Sequence, residues 1–148
     1  MSKTIYILNG PNLNRLGTRE TEIYGKVTLA DIEKSCRELT EKSGISLVFR
    51  QSNTEGELVN WVQEAADKSC ALIINAAAYT HTSVALFDAL KLLSVPIIEV
   101  HLSNPSAREA FRQQNFISPA VTSGIFGFGA IGYDMATNAI IKKLEQEL

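Results

Sequence analysis

Cysteine is scarce: only Cys36 and Cys70 occur in 148 residues, and neither belongs to a CxxC pair. That excludes a disulfide framework and a cysteine-built zinc site, and it fits two small apolar thiols in a reducing compartment. Charge of one sign is also missing, because 14 Lys and Arg face 16 Asp and Glu for a net charge of −2. No basic field is available for a polyanion, so nucleic acid is not an expected partner and a small molecule is. Long apolar runs are absent too. Nothing approaches the roughly 20 residues that span a bilayer, and the apolar stretch before Asn9 is too short for a signal-peptide core. A cytoplasmic protein with no membrane partner is expected. No linker or low-complexity stretch divides the chain, so a single domain over residues 1–148 follows.

Apolar residues make up 45% of the chain, and they fall into short β-rich runs alternating with longer helical patterns. Strands are expected near 4–9, 46–51, 71–75, 96–101 and 121–127. Between them, Thr28 begins a helix that runs to Gly44, and Thr54 with Glu57 suggests a capping box for a helix ending near Lys68. Asn104 before Pro105 reads as a cap followed by a first-turn proline, and a last helix spans about 132–148. Five such alternations predict an α/β fold, a doubly wound parallel sheet of flavodoxin-like type with strand order 2-1-3-4-5.

The stretch from Ser83 to Ser94 is unusual. Only Asp88 and Lys91 are charged there, and apolar residues surround the rest of the axis. A helix apolar on nearly every side must be covered on nearly every side, either by another subunit or by a long loop.

Ligands of open parallel sheets bind beyond the carboxyl ends of the strands. Here those ends carry an unusually long polar loop after the first strand, then Ser52-Asn53, then Asn75 and the segment Tyr79–Ser83, then Glu99–Asn104. Both histidines, His81 and His101, lie on this rim. Glu99 and His101 are two apart on a strand and so share a face, where the carboxylate can orient and charge the imidazole. Such a pair suits a general acid, with an ordinary ion pair at a strand end as the lesser alternative. The first loop holds Arg15, Arg19, Glu20, Glu22 and Tyr24, with Gly17 and Gly25 placed as hinges of a lid over about 15–25. A tyrosine ionises near pH 10, so serving as a base near neutrality requires roughly 4 kcal/mol from nearby charge, which a close Arg19 can supply in part if water is excluded. Taken alone, Tyr24 reads more readily as an exposed loop tyrosine beside a solvated arginine.

Gly127–Gly132 matches GxGxxG, but no strand follows to carry a ribose-binding acid. The motif is read as a tight turn, with a phosphate- or nucleotide-binding module as the rival function. The lysines lie mostly in predicted helices, away from the rim, and Lys26 after the loop is the exception.

Together, LNGPNLNRLGTRE with Tyr24-Gly25, SNTEGEL, AYTHTSVAL with Asp88, PIIEVHLSN, AREAFR and GFGAIGY resemble the type II 3-dehydroquinate dehydratases, in order and spacing along essentially the whole chain. The resemblance implies a hydro-lyase that converts 3-dehydroquinate to 3-dehydroshikimate by anti elimination through an enolate, without cofactor, metal or Schiff base. On the matching positions, Tyr24 would be the base and Arg19 would lower its pKa. His101, oriented by Glu99, would be the acid, and Asn12 would hold a water near the enolate oxygen. Asn75, His81 and Arg112 would bind substrate hydroxyls, while Leu102 and Ser103 would receive the carboxylate through backbone N–H groups. The family's dodecamer, a tetramer of trimers, would bring Asp88 to a neighbouring subunit's site. The reaction serves aromatic amino-acid biosynthesis by the shikimate route and also quinate breakdown. An inactive paralogue acting in assembly would keep the same motifs. Four positions depart from the family pattern: Ala76-Ala77 for proline and glycine, Thr21 for proline, Phe87 for a polar residue and Gln63 for histidine.

Overall fold

A computed structural model describes residues 3–18 and 21–147, with Tyr24 described by its backbone alone. Strands β1 (Thr4–Asn9), β2 (Ser46–Gln51), β3 (Ala71–Asn75), β4 (Ile97–His101) and β5 (Ser123–Phe126) form one sheet in the order β2-β1-β3-β4-β5. Every neighbouring pair is parallel. This is the flavodoxin-like order that the alternating pattern predicts.

The first three strands keep their expected bounds: β1 and β3 are buried along almost their whole length, as a covered parallel sheet requires, while β2, at the sheet's edge, buries only Leu47 fully. β4 begins one residue later than expected, at Ile97. β5 is shorter than the expected 121–127, because the Val121 N–H turns back to the Ser118 carbonyl at 3.3 Å and Gly127 leaves the strand at φ 88°. Alternation along β1 divides the interior into two layers. Ile5 and Ile7 pack with Ile73, Val100 and Tyr133 on one face, and Tyr6 and Leu8 pack with Leu72, Ile74 and Leu86 on the other.

Helix α1 (Thr21–Tyr24) is a single turn, and α2 (Leu29–Lys42) opens on a full capping box. The Asp31 N–H donates to Thr28 Oγ1 at 3.1 Å, and the Thr28 N–H donates to Asp31 Oδ2 at 3.0 Å. The box expected for α3 (Glu55–Lys68) does not form. Ser52 Oγ takes the Thr54 N–H at 2.9 Å, so the donor that Glu57 would have met is already satisfied. Glu55 and Glu57 remain in the first turn, where the helix dipole favours them.

Helix α4 (Val84–Leu90) is also shorter than the apolar run suggests. Leu92 and Leu93 donate to Ala89 and Leu90 in tighter turns, and Pro96 blocks any continuation. Leu86, Ala89 and Leu90 are buried, while Val84 and Leu92 stand 53% and 61% exposed. The apolar face is thus split rather than continuous. Helix α5 (Ile131–Gln146) starts one residue before the expected position and covers the Ile5–Ile73 layer. No helix among the described residues is long and apolar enough to cross a membrane.

On the α3 side, the Tyr6 hydroxyl donates to Glu64 Oε2 at 2.6 Å, and Arg50 pairs with the same oxygen at 3.0 Å. Burial, reinforced by the bond to Glu64, pushes the Tyr6 phenol up to about 12. The unfolded chain ionises this group near 10, so the stabilisation is complete below that pH and disappears as pH rises through 12. Melting curves between pH 9 and 12 should show the wild type losing roughly 2 kcal/mol more than Tyr6→Phe over that window.

Candidate active site

Beyond the carboxyl ends of β1, β3 and β4 lies a pocket of about 130 Å³. Its wall combines Asn12, Leu13 and Leu16 from the first loop, Asn75, Ala77 and His81 from the segment after β3, and His101, Leu102, Ser103, Arg108 and Arg112 from β4 onward. Eleven site residues are expected from the sequence, some from their place at the strand ends and others, Arg112 among them, only from the family resemblance. Seven of them line the same space: Asn12, Asn75, His81, His101, Leu102, Ser103 and Arg112. An eighth, Glu99, lies behind His101 and contacts it directly.

The floor is held by one buried hydroxyl. Tyr133, fully inaccessible on α5, donates to Asn9 Oδ1 at 2.7 Å and accepts from Asn75 Nδ2 at 2.9 Å. Asn9 Nδ2 donates in turn to the Arg50 carbonyl at 3.0 Å, and Asn75 Oδ1 accepts the Ala77 N–H at 3.1 Å. These partners fix which end of each amide is nitrogen and leave one N–H of Asn75 for the pocket. Burial raises the Tyr133 phenol well above its ordinary value, so the bridge stays neutral and keeps its proton.

Glu99 is completely buried, and His101 is nearly so. His101 Nε2 meets Glu99 Oε2 at 2.6 Å, and Asn115 Nδ2 donates to that same oxygen at 2.8 Å. The period-two spacing on β4 produces this pairing, as expected. With Nε2 engaged, Nδ1 is the ring nitrogen left to exchange a proton with a ligand. The Phe126 ring packs on the imidazole with centroids 5.4 Å apart.

Around these groups the wall is cationic. Arg112 Nε donates to Glu109 Oε1 at 2.9 Å, and that bond holds the Glu109 carboxyl below the usual carboxylate range. Arg108 donates to Ser103 Oγ at 3.2 Å. His81 Nδ1 lies 2.7 Å from the Gln114 carbonyl and donates to it. The Asn12 N–H is anchored on Asn53 Oδ1 at 2.9 Å.

Asp88 is exposed on α4 and is not part of this pocket. Arg19 lies outside the described residues, as does the side chain of Tyr24; the Tyr24 backbone ends α1. Sequence reasoning missed Arg108, Asn115 and Tyr133 as site residues. Arg108 lay within the AREAFR segment and Tyr133 closed the GFGAIGY motif, whereas Asn115 had no local signal. Gly127 and Gly129, at φ 88° and 64°, form a tight turn outside the pocket wall. Among the described residues, no group of three His, Cys, Asp or Glu side chains could hold a metal ion.

Ala76-Ala77 keep the backbone that proline and glycine would favour. Ala76 sits at φ −75°, and Ala77 adopts the left-handed region at φ 52°. For alanine that conformation costs roughly 1–2 kcal/mol.

Fold and site together define a doubly wound α/β protein with a ligand pocket of imidazoles, guanidiniums and amides at its strand ends. A family model described as dehydroquinase class II matches residues 3–141. The 3-dehydroquinate dehydratase of Hyphomonas neptunium is 59% identical over 142 residues, covering 96% of this chain and 95% of that protein. The 3-dehydroquinate dehydratase of Phenylobacterium zucineum is 56% identical over 139 residues, covering 94% and 96%. The crystal structure of type II dehydroquinase from Propionibacterium acnes superposes with a TM-score of 0.91 at 42% identity, covering 96% of this chain and 98% of that one. The chain belongs to the class II dehydroquinase family.

Two stability measurements check the pocket's backbone. Relief of left-handed strain at Ala77 outweighs the roughly 0.5–1 kcal/mol of extra freedom that glycine gains on unfolding, so Ala77→Gly should raise stability by about 0.5–1 kcal/mol. Tyr133→Phe leaves Asn9 Oδ1 and one Asn75 N–H without their partner, and urea unfolding should show a loss of roughly 1–3 kcal/mol.

Proposed function

We propose that this chain is a working 3-dehydroquinate dehydratase that removes water through an enolate, with Tyr24 as base and His101 as acid. Family membership supports the reaction, and the buried Glu99–His101 pair at the pocket wall is the observation that carries the assignment of roles.

In this reading, Tyr24 as tyrosinate takes the proton from C2 of the substrate. The C2–H electron pair moves toward the C3 carbonyl and leaves an enolate. Arg19, closing with the 15–25 loop, lowers the phenol's pKa and faces the developing negative charge. Asn12 holds a water against the enolate oxygen, so that fixed donors meet the charge where it appears. The enolate then collapses, the C1–O bond breaks, and His101 Nδ1 gives its proton to the departing hydroxyl. Water leaves, and a C1=C2 double bond conjugated with the ketone remains. Glu99, hydrogen-bonded to Nε2, holds the imidazole turned with Nδ1 toward the substrate for that transfer.

Binding follows from the same wall. The remaining Asn75 N–H, His81 Nε2 and the Arg112 guanidinium address the ring hydroxyls, while the Leu102 and Ser103 N–H groups take the carboxylate. Asp88 would complete a neighbouring subunit's site in a dodecamer built as a tetramer of trimers. Its exposure on α4 beside Val84, away from its own pocket, supports that placement.

The conjugated enone absorbs in the ultraviolet, so turnover can be followed directly. Tyr24→Phe and His101→Ala should each lower kcat by at least about a hundredfold, the usual range for removing a general base or acid, with the assembly intact by sedimentation. Wild-type turnover in Tyr24→Phe would remove the base assignment. No turnover by the unaltered protein would point to an assembly paralogue instead.

A further inference from the structure

Both hydrogen bonds of the buried Glu99 carboxylate fall on one oxygen. Oε2 receives His101 Nε2 and Asn115 Nδ2, while Oε1 has no partner among the described residues. Asn115 cannot turn its amide over. Its Oδ1 accepts the N–H groups of Ile117 at 3.0 Å and Ser118 at 2.8 Å, and an amide nitrogen could accept neither. The loop after the pocket's arginines therefore delivers one donor, in one orientation, to the carboxylate behind the imidazole.

We propose that Asn115 is a positioning residue for the acid step, sharing the Glu99 oxygen with His101 and supporting the carboxylate's charge as the imidazole gives up its proton. The proposal rests on the reading of His101 as the acid. Before transfer, the imidazolium balances the buried negative charge. Afterwards the ring is neutral, and Glu99 holds a buried charge with two hydrogen bonds, of which the one from Asn115 is the stronger support because its donor has not changed. A donor that matters more after the transfer than before it makes His101 a better acid. Among the described residues, the other charged or titratable groups lining the pocket with His101 are Arg108 and Arg112, both against Glu109, and His81. They are common to wild type and variants, so their influence cancels in the comparison.

Asn115→Ser and Asn115→Asp separate this role from simple loop capping. Each keeps an oxygen for the Ile117 and Ser118 N–H groups, whereas serine is too short to reach Glu99 and aspartate donates nothing. In Asn115→Ser, kcat should fall up to about threefold with KM unchanged, and the basic limb of the kcat profile should move up by roughly half a pH unit. Asn115→Asp should move that limb further the same way, since a second carboxylate holds the imidazolium more tightly. Histidine-selective NMR offers a direct check, because the chain has only two histidines: the His101 resonance should titrate at higher pH in both variants while that of His81 stays in place. In the unaltered enzyme, the Asn115 Nδ2 protons should shift as His101 titrates, which tests the contact even if a variant folds poorly. Unchanged profiles in both variants, or an amide signal blind to the imidazole, would reduce Asn115 to a loop cap. If His101→Ala itself kept normal turnover, the acid assignment would fall and this role with it.

Discussion

A single phenolic hydroxyl, sealed from water, ties the ends of the two central strands to the helix beneath them. Tyr133 reaches from α5 to Asn9 and Asn75 at matched positions on β1 and β3. In the order β2-β1-β3-β4-β5 the chain leaves these neighbouring strands in opposite directions, and the crevice between their exits is where ligands bind in such sheets. The hydroxyl fixes the floor of that crevice. Both amides it contacts are buried, so each would carry an unmet polar group without it. The wall loops depart from that fixed point.

The sheet was largely legible in the chain because burial on both faces leaves continuous apolar runs, as in ALIIN at β3. Reading failed where a local signal had a competitor. Thr54 and Glu57 have the right spacing for a capping box, yet the Ser52 hydroxyl reaches the same N–H first. The apolar stretch after Ser83 has the pattern of one helix, but its second half tightens into turns ahead of Pro96. Period two was enough to pair Glu99 with His101. Asn115 and Tyr133 were not legible as site residues, since their partners lie 16 and, for Tyr133, 58 and 124 positions away. Tyr24 and Arg19 were weak candidates from the loop's chemistry alone, and resemblance to a family made them strong ones.

Electrostatics in the pocket is arranged in pairs. Glu99 sits behind His101, and Glu109 sits beside Arg112, with Arg108 also 3.4 Å from that carboxylate, while His81 meets a backbone carbonyl instead. The two pairs differ in kind. Glu99 is buried, out of reach of competing water, whereas Glu109 is exposed and water competes for its hold on Arg112. A guanidinium held loosely can turn toward an incoming hydroxyl at little expense. An imidazole held tightly can be aimed.

Ala77 gives the pocket wall a different character from its floor. An alanine held left-handed has a lower-energy backbone basin close by, and a bias of about 1–2 kcal/mol multiplies the population of that alternative by roughly 5- to 30-fold relative to an unstrained residue. The Asn75 side chain and the turn from Ala76 to Tyr79 hold it in place. On warming, this short arc should slacken well before the sheet melts, so loss of ligand affinity with temperature would begin at one peptide unit.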